Sequence, residues 1–163
     1  DEGTEVTLLL PAVSRAEAAR YYPDGSRSEN QLPLLPEGMR ILVVDDDAAV
    51  GRLTAGMLEG AGHRPMTTTD PEVALQLLAS GGHFDLVISD VIMPHGMSGI
   101  DLAREVRRHR DGLPVLLVTG YVGDSHSAVQ EFPVLPKPFT ALELTIAIRT
   151  LLQRRAPILQ STT

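Results

Sequence analysis

The chain has 163 residues and no cysteine, and its 21 acidic and 14 basic side chains give it a net charge of −7 at neutral pH. This length suits one domain of ordinary size with additional segments, and the lack of cysteine excludes a disulfide framework and a thiolate metal site. The acidic balance argues against a nucleic-acid-binding surface, and no apolar run approaches the roughly 20 residues needed to span a bilayer. We therefore expect a cytoplasmic protein with a protein or small-molecule partner, no nucleic acid and no direct membrane contact.

The first 38 residues differ in composition from the rest of the chain. Residues 6–10 form a short apolar run, whereas residues 22–38 are rich in proline, serine and glycine, a composition typical of a linker. We predict a strand segment within residues 1–13, a linker in residues 14–38, one folded domain in residues 39–155 and a tail in residues 156–163. Because the first residue is Asp rather than Met, we also expect a fragment of a longer chain.

From Met39 onward, strand and helix patterns alternate five times, which is typical of βαβ units in an α/β fold with a parallel sheet. The predicted strands are residues 41–44, 63–68, 84–89, 115–118 and 134–135. The first helix is predicted to turn five apolar residues inward: Val50, Leu53, Met57, Leu58 and Ala61. The others are predicted to open at the Asp70 cap, near Gly99, and at the Thr140-x-x-Glu143 capping box, with the last running to about Gln153.

Proline positions indicate the order of the strands. Pro65 falls in the second strand, and Pro133 and Pro136 fall in and around the fifth. Since proline is tolerated mainly at sheet edges, strands two and five are predicted to be the edges. The flavodoxin-like, doubly wound (βα)5 order 2-1-3-4-5 satisfies this and places strands one and three side by side at the topological switch point.

Polar side chains follow four of these strands at their carboxyl ends, where ligands of such sheets bind. Asp45 and Asp46 follow the first strand, Asp90 the third, Thr119 the fourth and Lys137 the fifth. Carboxylates held close together raise each other's pKa, and a hard divalent cation such as Mg2+ relieves the repulsion through oxygen ligands. The pattern predicts a magnesium site formed by Asp45 or Asp46 with Asp90.

Beside such a metal, the Asp90 carboxylate could act as a nucleophile toward a phosphoryl group. Lys137 would offer a mobile positive charge to a phosphoryl oxygen, and Thr119 would offer a hydroxyl donor. Both groups would bind the modified aspartate better than the free one, and that difference would shift a conformational equilibrium. Asp47 has two open readings, as a member of the acidic cluster or as the cap of the first helix. The five histidines share no metal-ligand spacing, and we expect each at the surface.

These residues resemble the receiver domain of two-component response regulators over about residues 39–152. The resemblance rests on four motifs in order: Ile41 to Asp47, Ser89 to Pro94, Val118-Thr119-Gly120, and Pro136-Lys137-Pro138-Phe139. It implies that Asp90 is the phosphoacceptor, that Asp45 and Asp46 hold Mg2+ together with the Ile92 carbonyl, and that Thr119 is the switch hydroxyl. It also implies a cis bond between Lys137 and Pro138, and a domain that catalyses its own phosphorylation and dephosphorylation with a histidine kinase's phosphohistidine as donor.

The sequence departs from the family pattern in three places. Val134 stands where the family often has an aromatic switch residue, three positions before the lysine. The spacing between Thr119 and Lys137 predicts a short or irregular fourth helix at about 123–130, and the segment 94–99 carries one extra residue.

A second resemblance covers residues 3–11, which are similar to the final strand of a histidine-kinase ATP-binding domain. With the linker and receiver behind it, this strand suggests the C-terminal piece of a hybrid sensor histidine kinase, without the kinase core and without ATP binding. The phosphodonor would then lie in the same parent chain, and a histidine phosphotransfer protein is a further partner that the resemblance implies.

Two other functions fit parts of the pattern. An aspartate-nucleophile phosphohydrolase of the haloacid dehalogenase type would need a second aspartate two positions after Asp90, where Ile92 stands. A pseudo-receiver that serves only as a binding module would not need Asp90, Thr119 and Lys137, all of which are present.

Overall fold

The computed structural model describes residues 35–94, 96–120 and 131–154. The predicted terminal strand, most of the linker, the fourth helix at 123–130, His95 and the tail lie outside these residues. The described residues belong to one unit of the chain that begins at Leu35.

Five parallel strands form one sheet in the order β2-β1-β3-β4-β5, which confirms the predicted fold class and order. The strands are β1 Arg40–Val44, β2 Arg64–Thr68, β3 Leu86–Asp90, β4 Val115–Thr119 and β5 Val134–Pro136. Pro65 and Pro136 lie in the two edge strands. An edge strand is paired on one side only, so it tolerates a proline, which has no backbone N–H to donate. The sheet therefore has β1 and β3 adjacent at its centre, as predicted from the prolines.

Helices connect the strands, and the described residues contain four: α1 Ala48–Gly60, α2 Pro71–Ala79, α3 Gly99–His109 and α4 Ala141–Gln153. The Asp70 carboxylate caps α2 with Pro71 at its first position, and Thr140 and Glu143 form a complete capping box on α4. Within the part of the chain that the structure describes, no helix combines the length and apolar character that a membrane span requires.

Two apolar layers cover the faces of the sheet. One contains Leu42, Val44 and Val87 with residues of α2 and α3, and the other contains Ile41, Val43 and Ile88 with residues of α1 and α4. Both faces are thus buried, as expected for a parallel sheet whose crossover helices lie on both sides. This arrangement leaves the carboxyl ends of the strands as the edge where polar groups can meet.

The predicted inward face of α1 is wrong at Leu53, whose side chain is 62% exposed, and at Ala61, which is exposed just after the helix ends. The buried residues of this helix are Gly51, Thr54, Ala55 and Leu58. This face reaches the end of β1, since a Cβ placed on Gly51 would lie 3.7 Å from the Cβ of Asp45, an ordinary van der Waals contact. The buried face of α1 therefore combines Leu58 with three small residues, whereas Leu53 faces solvent.

The prediction that every histidine lies at the surface is wrong for His63, which is only 6% exposed. Its backbone N–H donates to the Leu58 carbonyl at the end of α1 (2.9 Å), immediately before β2 begins. Within the described residues, its buried Nδ1 has no hydrogen-bond partner. Burial lowers the pKa of His63 from its ordinary value of 6.5, because the charged imidazolium is poorly solvated there.

We expect His63 to make the fold less stable in acid. Below pH 6.5 the unfolded chain binds a proton at this position that the folded chain takes up only at lower pH, so the free energy of unfolding falls as the pH falls through this window. Urea unfolding of wild type and His63→Leu between pH 5 and 8 should show a flatter acid side in the variant. His83→Gln, at an exposed histidine, should retain the wild-type slope, and equal slopes for wild type and His63→Leu would contradict the expectation.

Candidate functional site

The adjacent strands β1 and β3 bring three carboxylates together at the carboxyl edge of the sheet. Val44 pairs in register with Ser89, so Asp45 and Asp90 follow at neighbouring positions. One carboxylate oxygen from each of Asp45, Asp46 and Asp90 lies within 4.8 Å of the others. Asp45 and Asp90 are 3% and 9% exposed, whereas Asp46 faces solvent. The structure thus forms an acidic pocket with a buried wall and an open side.

Lys137 enters the same pocket from the end of β5. Its backbone N–H donates to the Thr119 carbonyl (2.7 Å), which ties the ends of β4 and β5 together. Its Nζ lies 2.8 Å from Oδ2 of Asp45 and 2.6 Å from Oδ2 of Asp90. The peptide bond between Lys137 and Pro138 is cis, as the resemblance implied. The lysine is therefore the cation of the pocket, although 92 positions separate it from Asp45.

Backbone amides hold the remaining oxygens of the two buried carboxylates. The Asp47 N–H donates to Oδ1 of Asp45, and the Ile92 N–H donates to Oδ1 of Asp90, both at 3.1 Å. Each carboxylate is thus bound by an amide two residues further along the chain on one oxygen and by the ammonium of Lys137 on the other. This fixes the orientation of both side chains.

The pKa values of the pocket show opposing effects of burial and charge. Burial raises the pKa of Asp45 above 3.8 despite the hydrogen bond and the attraction of Lys137, and repulsion from Asp90 acts in the same direction as burial. Burial alone would lower the pKa of Lys137, but its hydrogen bonds to Asp45 and Asp90 and their negative charges outweigh it, so its pKa is raised above 10.5. Lys137 therefore stays protonated at neutral pH. A further cation in the pocket would stabilise the ionised form of Asp45.

The acidic cluster fits a hard divalent cation. Among the described residues, three carboxylates and one ammonium meet in the pocket, so acidic groups outnumber basic ones there. Mg2+ prefers oxygen ligands, often uses only one or two carboxylates and keeps several waters, which suits a pocket whose Asp46 side is open to solvent. The residues present are therefore of the type and number that such an ion needs.

The other predicted residues lie around this pocket. Thr119 is buried at the end of β4, directly after Val118, which pairs in register with Asp90. Ile92 follows the acceptor strand with its side chain 47% exposed. Val134, at the position where the family often has an aromatic residue, is half-buried against the layer formed with α2 and α3.

Asp47 was predicted either to join the acidic cluster or to cap the first helix, and the structure shows it as the cap of α1. Its Oδ1 accepts from the N–H groups of Ala49 (2.7 Å) and Val50 (3.4 Å). Because these are amides that the first turn leaves without an intrahelical partner, Asp47 stabilises the start of the helix directly behind the pocket.

Ser89 and Gly99 also lie against Asp90, although neither is among the site residues predicted from the sequence. The Ser89 hydroxyl donates to the Asp90 carbonyl (2.9 Å), and Gly99 approaches the same carbonyl so closely that a Cβ there would lie 1.7 Å from its oxygen. A signal for Ser89 was visible, since it is a lone hydroxyl in an otherwise apolar strand. No local pattern reveals the contact of Gly99, which depends on where α3 begins in space.

The fold and the site define the class of α/β receiver modules, which combines an open parallel sheet, an acidic pocket at its switch point and a lysine from its last strand. The model of the response regulator receiver domain family matches residues 41–149, and the chain belongs to this family. Receiver domains act in two-component signalling, in which they interact with histidine kinases or phosphotransfer partners.

Three similar proteins show how the chain relates to longer ones. Sensor kinase CckA of Brucella abortus (strain 2308) is 27% identical over 161 residues, which cover 94% of this chain and 17% of that protein. Response regulator MprA of Mycolicibacterium vanbaalenii is 36% identical over 125 residues, which cover 73% of this chain and 52% of MprA. The crystal structure of a response regulator receiver domain protein from Clostridium thermocellum superimposes with a TM-score of 0.63 at 31% identity, covering 71% of this chain and 95% of that one.

Proposed function

We propose that Asp90 accepts a phosphoryl group from the phosphohistidine of a histidine kinase in a Mg2+-dependent reaction, and that the modified aspartate changes the conformation of the domain. The observation that carries this proposal is the position of the Asp90 carboxylate, which shares a pocket with two further carboxylates and lies 2.6 Å from the ammonium of Lys137. This combines a carboxylate nucleophile with the charges that phosphoryl transfer needs.

In the transfer, the bond between phosphorus and the histidine nitrogen breaks while a bond forms between phosphorus and a carboxylate oxygen of Asp90. The products are an acyl phosphate and a free imidazole. Asp45, Asp46, Asp90 and the Ile92 carbonyl would hold Mg2+, which would supply positive charge to the phosphoryl oxygens. The Ile92 N–H holds Oδ1 of Asp90 in place, and the ammonium of Lys137 is already beside Oδ2, where it can pair with a phosphoryl oxygen.

The conformational change depends on groups that bind the phosphorylated aspartate more strongly than the free one. Thr119 lies at the end of β4 and shares its carbonyl with the N–H of Lys137, so movement of its hydroxyl toward the phosphoryl group would displace the ends of β4 and β5 together. Val134 lies on β5 in register with Leu117 and has a small aliphatic side chain. We propose that the switch in this chain works through Thr119 and Lys137 without an aromatic partner at position 134.

The parent protein is proposed to be a hybrid sensor histidine kinase in the cytoplasm. Supporting this, the similarity to a sensor kinase extends over 94% of the chain and so reaches into the region before the receiver. Residues 1–13 would be the last strand of the ATP-binding domain, residues 14–38 a linker, residues 39–155 the receiver and residues 156–163 a tail. The phosphohistidine would belong to the same parent chain, and a histidine phosphotransfer protein would be a second exchange partner.

Membership of the receiver family does not favour a haloacid dehalogenase-type phosphohydrolase. The apolar, half-exposed Ile92 stands where that mechanism needs a second carboxylate. A pseudo-receiver is disfavoured as well, because Asp45, Asp90 and Lys137 are held in one hydrogen-bonded group.

Incubation of the 163-residue chain with acetyl phosphate and Mg2+ tests the proposal. We expect the intact mass to increase by one phosphate, the increase to disappear when EDTA replaces Mg2+, and hydroxylamine to reverse it as for an acyl phosphate. Purified autophosphorylated kinases and phosphotransfer proteins should then be compared as donors. A chain that gains no phosphate from acetyl phosphate or from any phosphohistidine donor would contradict the proposal.

A further inference from the structure

Ser89 is a polar residue where the fold calls for an apolar one. It is 0% exposed in the central strand β3, after Leu86, Val87 and Ile88. Parallel strands covered on both faces are usually apolar throughout, and a buried hydroxyl destabilises the fold unless it is hydrogen-bonded. The Ser89 Oγ donates to the carbonyl oxygen of Asp90 at 2.9 Å. Its hydrogen bond is thus directed at the main chain of the acceptor residue.

The first residue of α3 encloses the same carbonyl from another direction. A Cβ placed on Gly99 would lie 1.7 Å from the Asp90 oxygen, 2.8 Å from its carbonyl carbon and 2.9 Å from the Ser89 Oγ. The Gly99 N–H donates to the Val91 carbonyl at 3.1 Å. The peptide group between Asp90 and Val91 is therefore confined between the Ser89 hydroxyl and the start of α3.

This confinement extends to the reactive carboxylate. The Val91 N–H of that peptide donates to the Val118 carbonyl (2.9 Å), and the next amide, that of Ile92, donates to Oδ1 of Asp90 (3.1 Å). A rotation of the Asp90–Val91 peptide would shift the Ile92 amide and release Oδ1. The orientation of the carboxylate is thus coupled to the hydrogen bond made by Ser89.

We propose that Ser89 is a positioning residue for phosphoryl transfer, which holds the Asp90 main chain so that the carboxylate faces the phosphodonor. This inference rests on the proposed function of Asp90 as the acceptor. Ser89 touches neither phosphate nor metal in this mechanism and acts only through the Asp90 carbonyl. Its loss loosens the geometry of the nucleophile, and small errors in the position of reacting groups lower rates steeply.

The test compares Ser89→Ala with Val87→Ala in the full chain. Val87 lies two residues earlier on the same strand, faces the same apolar layer and is fully buried, but its side chain makes no hydrogen bond to Asp90. With acetyl phosphate at saturating Mg2+, Ser89→Ala should be phosphorylated about 10-fold more slowly than wild type, and Val87→Ala at close to the wild-type rate. In amide NMR spectra, the Ile92 signal should move in Ser89→Ala and stay in place in Val87→Ala.

Ser89→Cys provides a second measurement, because its thiol is a weaker donor of similar shape. Its phosphorylation rate should fall below that of wild type and above that of Ser89→Ala, and it can be compared with wild type even if Ser89→Ala does not fold. A Ser89→Ala rate within about two-fold of wild type would overturn the inference, and so would a Ser89→Cys rate equal to wild type or an equal loss in Val87→Ala. The wild-type chain separates the two proposals. If it gains phosphate, the proposed function of Asp90 is supported even when the Ser89 variants show no effect.

Discussion

Replacing Asp90 with Asn is expected to slow phosphoryl uptake from acetyl phosphate by at least about 1,000-fold, because the amide oxygen is a far weaker nucleophile than the carboxylate. The fold should survive, since the Asn amide oxygen can still accept the hydrogen bond from the Ile92 N–H. Its NH2 group cannot accept from Lys137, but that ammonium keeps its partner Asp45. Intact mass spectrometry and a thermal unfolding curve of the same sample would establish both results.

Asp47→Asn is the matched control for this experiment. It removes one negative charge from the same acidic run, but Asp47 caps α1 and does not belong to the carboxylates that surround the pocket. Asparagine caps helices about as well as aspartate, so this variant should be phosphorylated at close to the wild-type rate. Equal losses in the two variants would mean that overall charge, rather than the Asp90 nucleophile, determines phosphoryl uptake.

The topology of the sheet was predictable because it depends on covalent and hydrogen-bonding limits that act locally. Pro65 and Pro136 cannot donate to a ladder, so they place their strands at the edges, and the flavodoxin-like order satisfies that placement. The convergence of Asp45, Asp90 and Lys137 followed in turn, since carboxyl ends of parallel strands meet at one edge. These steps need only the positions of residues along their strands.

Features that depend on tertiary packing were not predictable in the same way. Periodicity gives an apolar face of α1 that includes Leu53, but the packed helix buries the small residues Gly51 and Ala55 and leaves Leu53 exposed. The burial of His63 is not visible in the sequence either, since nothing next to it distinguishes it from the exposed His83. Such contacts arise from distances between elements, which hydrophobic patterns do not contain.

The contact between α3 and the acceptor is another case, because Ser89 and Gly99 are separated by ten positions and meet only when α3 packs on the end of β3. The sequence shows a glycine at the start of a helix, but this does not reveal which part of the chain the glycine contacts. Only the structure shows that any side chain at this position would collide with the carbonyl of the acceptor aspartate.

Gly99→Ala is therefore expected to destabilise the domain strongly. The added Cβ would lie 1.7 Å from the oxygen and 2.8 Å from the carbonyl carbon of Asp90, and since both are backbone atoms of a central strand, no rotamer change relieves the collision. Forcing α3 away from β3 should lower the free energy of unfolding by about 3 kcal/mol or more, equivalent to a fall of roughly 10 °C in Tm for a domain of this size.

Gly56→Ala is the control, because Gly56 is exposed in the interior of α1 and no atom lies within 4 Å of an added Cβ. The same substitution there should raise the free energy of unfolding by about 0.5–1 kcal/mol through helix propensity. Urea and thermal unfolding of the two variants should thus move in opposite directions, and a Gly99→Ala variant as stable as wild type would show that α3 does not press on the acceptor carbonyl.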